Sequence, residues 1–149
     1  MFQYNFNQMK IFEDAYHEQY FDEVQSLYVF TWKEEDLPSS FDDKDYQEMM
    51  LRYADFLEKY HPKKLIVDSR SQTYVISPEM QQWTDNNIFV RVLKAGLRRV
   101  AIIVSKEFIA ELSLEQVMET ESGMVFKTNY FTDKADALAW MRENEVELQ

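Results

Sequence analysis

Three short segments decide the fold: Lys64-Leu65-Ile66-Val67-Asp68, Ser77-Pro78-Glu79 and Val100-Ala101-Ile102-Ile103-Val104. The first and last are brief apolar runs, rich in β-branched residues, and read as buried strands. The middle segment reads as a helix start. Ser77 offers an N-cap oxygen, Pro78 pre-sets the first helical φ, and Glu79 complements the positive end of the helix dipole. The helix that follows carries Met80, Trp83, Ile88 and Val92, and Gly96 is placed as its C′ residue. Asn86-Asn87 in its interior predicts a bend. A strand, a helix and a strand in succession imply a crossover between parallel neighbours.

The same alternation extends in both directions. Upstream, Tyr46, Met49, Met50, Tyr53, Leu57 and Tyr60 recur at helical spacing, with Ser40 and Asp43 at capping-box separation before them. Pro62 stops that helix. Further back, Tyr16, Glu18 and Tyr20 oppose His17, Gln19 and Phe21, and Leu27 to Lys33 is apolar on both faces. The two stretches read as a hairpin whose second strand is central. Residues 1–9 read as an N-terminal arm, and residues 10–149 as one domain. Downstream, Lys106 to Leu112 predicts one or two helical turns. Ser113 to about Thr120 predicts a short helix, Gly123 a turn, and Val125 to Phe131 the last strand. Thr132 then caps a final helix with Ala137, Leu138 and Met141 inward and Trp140 at its margin. The expected order is β-β-α-β-α-β-α-β-α, an α/β fold with a mixed, mostly parallel five-stranded sheet.

Composition excludes several functions. The 149 residues include no cysteine, so disulfides, thiolate metal sites and cysteine nucleophiles are absent. With only Gly96 and Gly123, a P-loop, a dinucleotide fingerprint and a glycine-flanked nucleophile elbow cannot be built. A net charge of −11 opposes nucleic-acid binding. The longest apolar run, Val100 to Val104, is far short of the roughly 20 residues that span a bilayer. Residues 1–8 carry neither Lys nor Arg, unlike a secretory signal, and the expected location is cytoplasmic.

Candidate chemistry is sparse. His61 suits the end of the first helix. His17, among Glu13, Asp14 and Glu18, reads as an edge-strand residue with carboxylate partners. The acidic groups Glu34-Glu35-Asp36, Asp42-Asp43, Glu119 and Glu121 read as solvated faces. Asp68 differs from these. It ends a buried parallel strand, the position at which open α/β sheets bind ligands, and Ser69, Arg70, Ser71, Ser77 and Glu79 follow it as a candidate recognition site; the first reading is structural, with Asp68 capping the nearby loop amides or pairing with Arg70.

Four stretches resemble the STAS superfamily in its SpoIIAA-like, or STAS/SEC14-like, branch. They are Leu27 to Lys33 with its acidic loop, Lys63 to Asp68, Leu93 to Ala101, and Tyr130-Phe131-Thr132-Asp133 leading to Ala137-Leu138-Ala139-Trp140-Met141. The resemblance implies helices stacked mainly on one face of the sheet. It also implies a regulatory serine at the start of the helix after the third strand, which falls at Ser77. The antagonists of this superfamily read Asp-Ser-Ser-Gly there, whereas this chain reads Val75-Ile76-Ser77-Pro78. Ser77 is therefore read first as a helix cap. A sheet covered on one side leaves an apolar face for the arm, a ligand or a second subunit, and a homodimer is the expected solution.

The expected function is that of a non-enzymatic binding or regulatory module without a cofactor or metal. It would engage a protein partner through Asp68, Ser69, Arg70, Ser77 and Glu79. The alternative is a SEC14-like carrier or sensor of a hydrophobic small molecule, in a pocket lined by Trp83, Phe89 and Phe108. An enzyme is the third expectation, because the usual activated constellations are missing.

Overall fold

The computed structural model describes residues 8–33, 38, 40–71, 74–106 and 127–143. The expected turns at 107–112, the helix at 113–120, the Gly123 turn, Phe108, the acids Glu34-Glu35-Asp36, Glu119 and Glu121, and residues 1–7 of the arm lie outside them. Strands β1 (Gln8–Glu13), β2 (His17–Asp22) and β3 (Leu27–Trp32) run antiparallel in succession. Strands β4 (Lys64–Asp68), β5 (Arg99–Ile103) and β6 (Lys127–Phe131) extend the sheet in parallel from β3, in spatial order β1-β2-β3-β4-β5-β6.

Among the described residues the sheet thus has six strands rather than the five expected. Strand β1 escapes a period-two reading because its register shifts between Lys10 and Phe12, which leaves Ile11 and Phe12 as adjacent apolar residues. It pairs outside β2, so His17 is an interior-strand residue and not an edge residue.

Helix α1 (Asp43–Tyr60) buries Tyr46, Met49, Tyr53 and Leu57 of the expected stripe together with Ala54, while Met50 and Tyr60 at its margins are partly buried. Its cap is Asp42, two residues beyond Ser40. Asp42 Oδ1 accepts the Asp45 N–H at 3.1 Å, and Asp45 Oδ2 accepts the Asp42 N–H at 3.0 Å. Two short carboxylates close this capping box in place of the usual hydroxyl and glutamate. At the other end His61 takes left-handed geometry, φ 51°, and its Nδ1 lies 2.9 Å from the Ala95 carbonyl.

Ser77 caps α2 (Pro78–Thr84) by accepting the Met80 N–H at 3.2 Å. Where a bend was expected, the helix widens into a π turn, Asp85–Phe89, and then continues as α3 (Val90–Lys94). Gly96, at φ 114°, ends it in a conformation that side chains resist. Helix α4 (Lys134–Glu143) is capped by Asp133, whose Oδ1 accepts the Ala135 N–H at 2.6 Å; the expected cap, Thr132, is one residue too early.

Helix α1 and the helical segment 78–94 share one sheet face, packing on Phe21, Tyr28, Phe30, Leu65 and Val100. Most of the described helical length lies there. The opposite face carries Leu27, Val29, Ile66, Ala101 and Ile103, and Ala137, Leu138 and Met141 of α4 pack against it. The apolar face that a one-sided arrangement leaves for an arm, a ligand or a second subunit is here covered by the chain's own last helix. The buried Arg99 helps hold it, with its guanidinium 4.4 Å from the centre of the Trp140 ring and Nη1 3.3 Å from the Trp140 carbonyl.

Candidate functional site

Successive side chains of β4 alternate between faces, so Lys64, Ile66 and Asp68 all point towards the α4 side. Asp68 is the last of them. It is buried, and register places it beside Thr31 of β3, which in turn lies beside Glu18 of β2. Glu18, Thr31 and Asp68 therefore form a row at the carboxyl ends of the parallel strands β3 and β4.

The chain leaves β4 under tight control. Ser69 donates both its backbone N–H, at 2.9 Å, and its hydroxyl, at 3.1 Å, to the Ile103 carbonyl of β5. Arg70 then folds back on Asp68. Nε lies 2.9 Å from Oδ1 and Nη2 lies 2.6 Å from Oδ2, and the Arg70 backbone N–H also reaches Oδ1 at 3.3 Å. This two-pronged pairing fixes the plane of the guanidinium and neutralises the buried carboxylate. The Arg70 side chain remains 45% exposed and faces outward.

Around this pair lies a cleft of about 680 Å³, lined by Glu18, Thr31, Trp32, Lys33, Asp68, Arg70 and Ser71. Lys134, in the first turn of α4, is close enough to feel Asp68, Arg70 and Glu18. Burial lowers its pKa, Asp68 draws it back up, and Arg70 lowers it further. Lys33 at the rim donates to Glu13 Oε2 at 2.7 Å. Hydrogen bonds from Lys10 and Lys33 hold the Glu13 carboxyl down to about 2. Glu18 accepts the Tyr20 hydroxyl at 2.9 Å. The cleft thus presents two carboxylates, one ammonium group, a guanidinium and two hydroxyls within one concave surface. Such a surface suits recognition of a polar chain or group. Among the described residues that line it, no nucleophile is hydrogen-bonded to a base.

Asp68, Arg70 and Ser71 meet in this cleft, with Ser69 tethering the loop between them. Ser77 and Glu79 line neither this cleft nor a second one beside His17. Trp83 and Phe89 are half-buried against the core beneath α1. Among the described residues no group of three or more His, Asp or Glu is placed to hold a metal, and no helix is long and apolar enough to cross a membrane. Glu18, Thr31 and Lys33 line the cleft and Lys134 lies near its Asp68–Arg70 pair, and the sequence singled out none of the four. Lys134 left a readable signal, since a cation in the first turn of a helix opposes the dipole and calls for a partner.

No curated protein and no solved structure matches the chain. The family described as SpoIIAA-like matches residues 29–142, a span from β3 through most of α4 that includes Thr31, Asp68, Arg70, Ser71 and Lys134. On that match, and on the mixed sheet that carries it, the chain belongs to the SpoIIAA-like family.

Proposed function

We propose that the protein is a non-enzymatic regulatory module that binds a protein partner through the cleft at the ends of β3 and β4. The observation that carries this reading is the Asp68–Arg70 pair. A buried carboxylate locks an outward-facing guanidinium at the strand ends, where open α/β sheets place their ligands. Arg70 is thereby pre-organised, and an arginine held this way loses little side-chain freedom when a partner's carboxylate or carbonyl docks. Lys33, Ser71 and Lys134 supply further donors around it. Family membership supports the regulatory part of the reading, and the charged lining of the cleft favours a polar partner over a hydrophobic cargo.

Ser77 acts in this account as the cap of α2, with its hydroxyl oxygen committed to the Met80 N–H. The test is affinity capture from cells that express the protein. Wild type and Ser77→Ala should retain the same partner, and Arg70→Ala and Ser71→Arg should lose it. Retention by both cleft variants would reject the cleft as the binding surface.

A further inference from the structure

The cleft at the ends of β3 and β4 holds charges of both signs, but a docking molecule does not meet them equally. Arg70 is the most exposed of the lining residues, with 45% of its side chain in solvent, whereas the Asp68 side chain is 8% exposed. Both Asp68 oxygens are taken up by that guanidinium, from Nε at 2.9 Å and from Nη2 at 2.6 Å. The carboxylate is thus the inner member of the pair and the guanidinium the outer one. Glu18, the other acid of the lining, is partly buried and accepts the Tyr20 hydroxyl at 2.9 Å. Trp32 is the large apolar residue of the lining, and it is buried.

The surroundings tilt the balance further. Thr31 and Asp68 are register partners, and Lys33 and Arg70 each stand two residues further along the chain. Lys33 and Lys10 both donate to Glu13, at 2.7 and 2.8 Å, so two ammonium groups share one acid on this flank. Lys134, in the first turn of α4, lies near Asp68, Arg70 and Glu18, and the positive end of that helix stands there with it. Lys10, Lys33, Arg70 and Lys134 therefore outnumber Glu13, Glu18 and Asp68 in a chain whose net charge is −11. The region is a local reversal of the charge of the molecule.

We infer that the partner enters this cleft with an acidic segment, one carboxylate of which pairs with the solvent-facing side of the Arg70 guanidinium. The inference rests on the cleft being the binding surface proposed above. A guanidinium held in one plane suits the planar carboxylate, and a basic segment meets like charge before it can reach Asp68. The cleft volume of about 680 Å³ lies within the range of pockets for drug-sized ligands, roughly 300–1,000 Å³, and takes a few residues of extended chain.

The test is an NMR titration of the full chain with a capped peptide of four glutamates, using a capped peptide of four lysines at equal ionic strength as the counterpart. The acidic peptide should give saturable shifts at the Arg70 Nε–H and at the Thr31 and Ser71 amides, and the basic peptide should give none. Arg70→Gln should weaken that binding about tenfold. Because this change also deprives the buried Asp68 of its main partner, Lys134→Gln is the second variant. It leaves both members of the Asp68–Arg70 pair in place and should weaken binding about threefold. Saturation by the basic peptide, no saturable shift with the acidic one, or undiminished affinity in both variants would each overturn the inference. A photo-crosslinker at Ser71 separates the inference from the reading beneath it. A protein partner joined there through a stretch without Asp or Glu would overturn the acidic segment and leave the cleft as the binding surface, whereas capture of no partner would overturn both.

Discussion

Arg70 is joined to Asp68 by two side-chain hydrogen bonds while nearly half of its surface remains in solvent. Replacing it with alanine leaves Asp68 buried without its main partner. Arg70→Ala should lower stability by about 1–2 kcal/mol, read from urea denaturation. His17 makes a different prediction. The free imidazole titrates near 6.5, and burial lowers that value in the folded protein. The unfolded chain therefore takes up the proton more readily. The stabilisation is complete above about pH 6.5 and is lost as pH falls from there through the folded value. Denaturation midpoints should decline between pH 7 and 5, and His17→Phe should flatten that decline. The lowered carboxyls of Glu13, Asp42 and Glu58 act below 4.5 and so in a separate window. The end of β4 made Asp68 and its neighbours Ser69, Arg70 and Ser71 legible as a candidate site. Glu18 and Thr31 were not, because only pairing register brings them alongside Asp68.

Helix ends were legible where a side chain of fixed habit marks them, and less so where several acids compete. Ser77-Pro78-Glu79 allows only one helix start, and Ser77→Ala should cost about 1 kcal/mol in thermal or chemical denaturation through loss of the cap. Ser40, Asp42 and Asp43 offer three possible starts, and the reciprocal pair Asp42–Asp45 selects the middle one. The π turn at Asp85–Phe89 had only the Asn86-Asn87 pair as a clue, and a bend and a widened turn leave the same mark in sequence. Gly96, at φ 114°, has open space where a Cβ would sit, so the penalty for Gly96→Ala is conformational and not steric crowding. It should destabilise the protein by about 1 kcal/mol or more with no change in the core, read from the urea midpoint.

The way the layers close over the sheet depends on which face α4 takes, and here the sequence reading, which left the second face to an arm, a ligand or a second subunit, differs from the structure. Ala137, Leu138 and Met141 are plainly inward-facing, but periodicity within a helix says nothing about which side of a sheet it joins. In the folded protein they cover Leu27, Val29, Ile66, Ala101 and Ile103, and Arg99 reaches Trp140 from below. Leu138 is 1% exposed, and Leu138→Ala should cost about 2–5 kcal/mol in the same denaturation measurement. The same placement brings Lys134 near the Asp68–Arg70 pair and so joins the packing of α4 to the proposed recognition surface of the strand-end cleft. A photo-crosslinking amino acid placed at Ser71, within that cleft, and separately at the exposed Val24 in the β2–β3 turn tests this surface most directly. The account predicts a covalent adduct with a protein partner from position 71 and none from position 24. Adducts from position 24 alone, or from neither position, would contradict it.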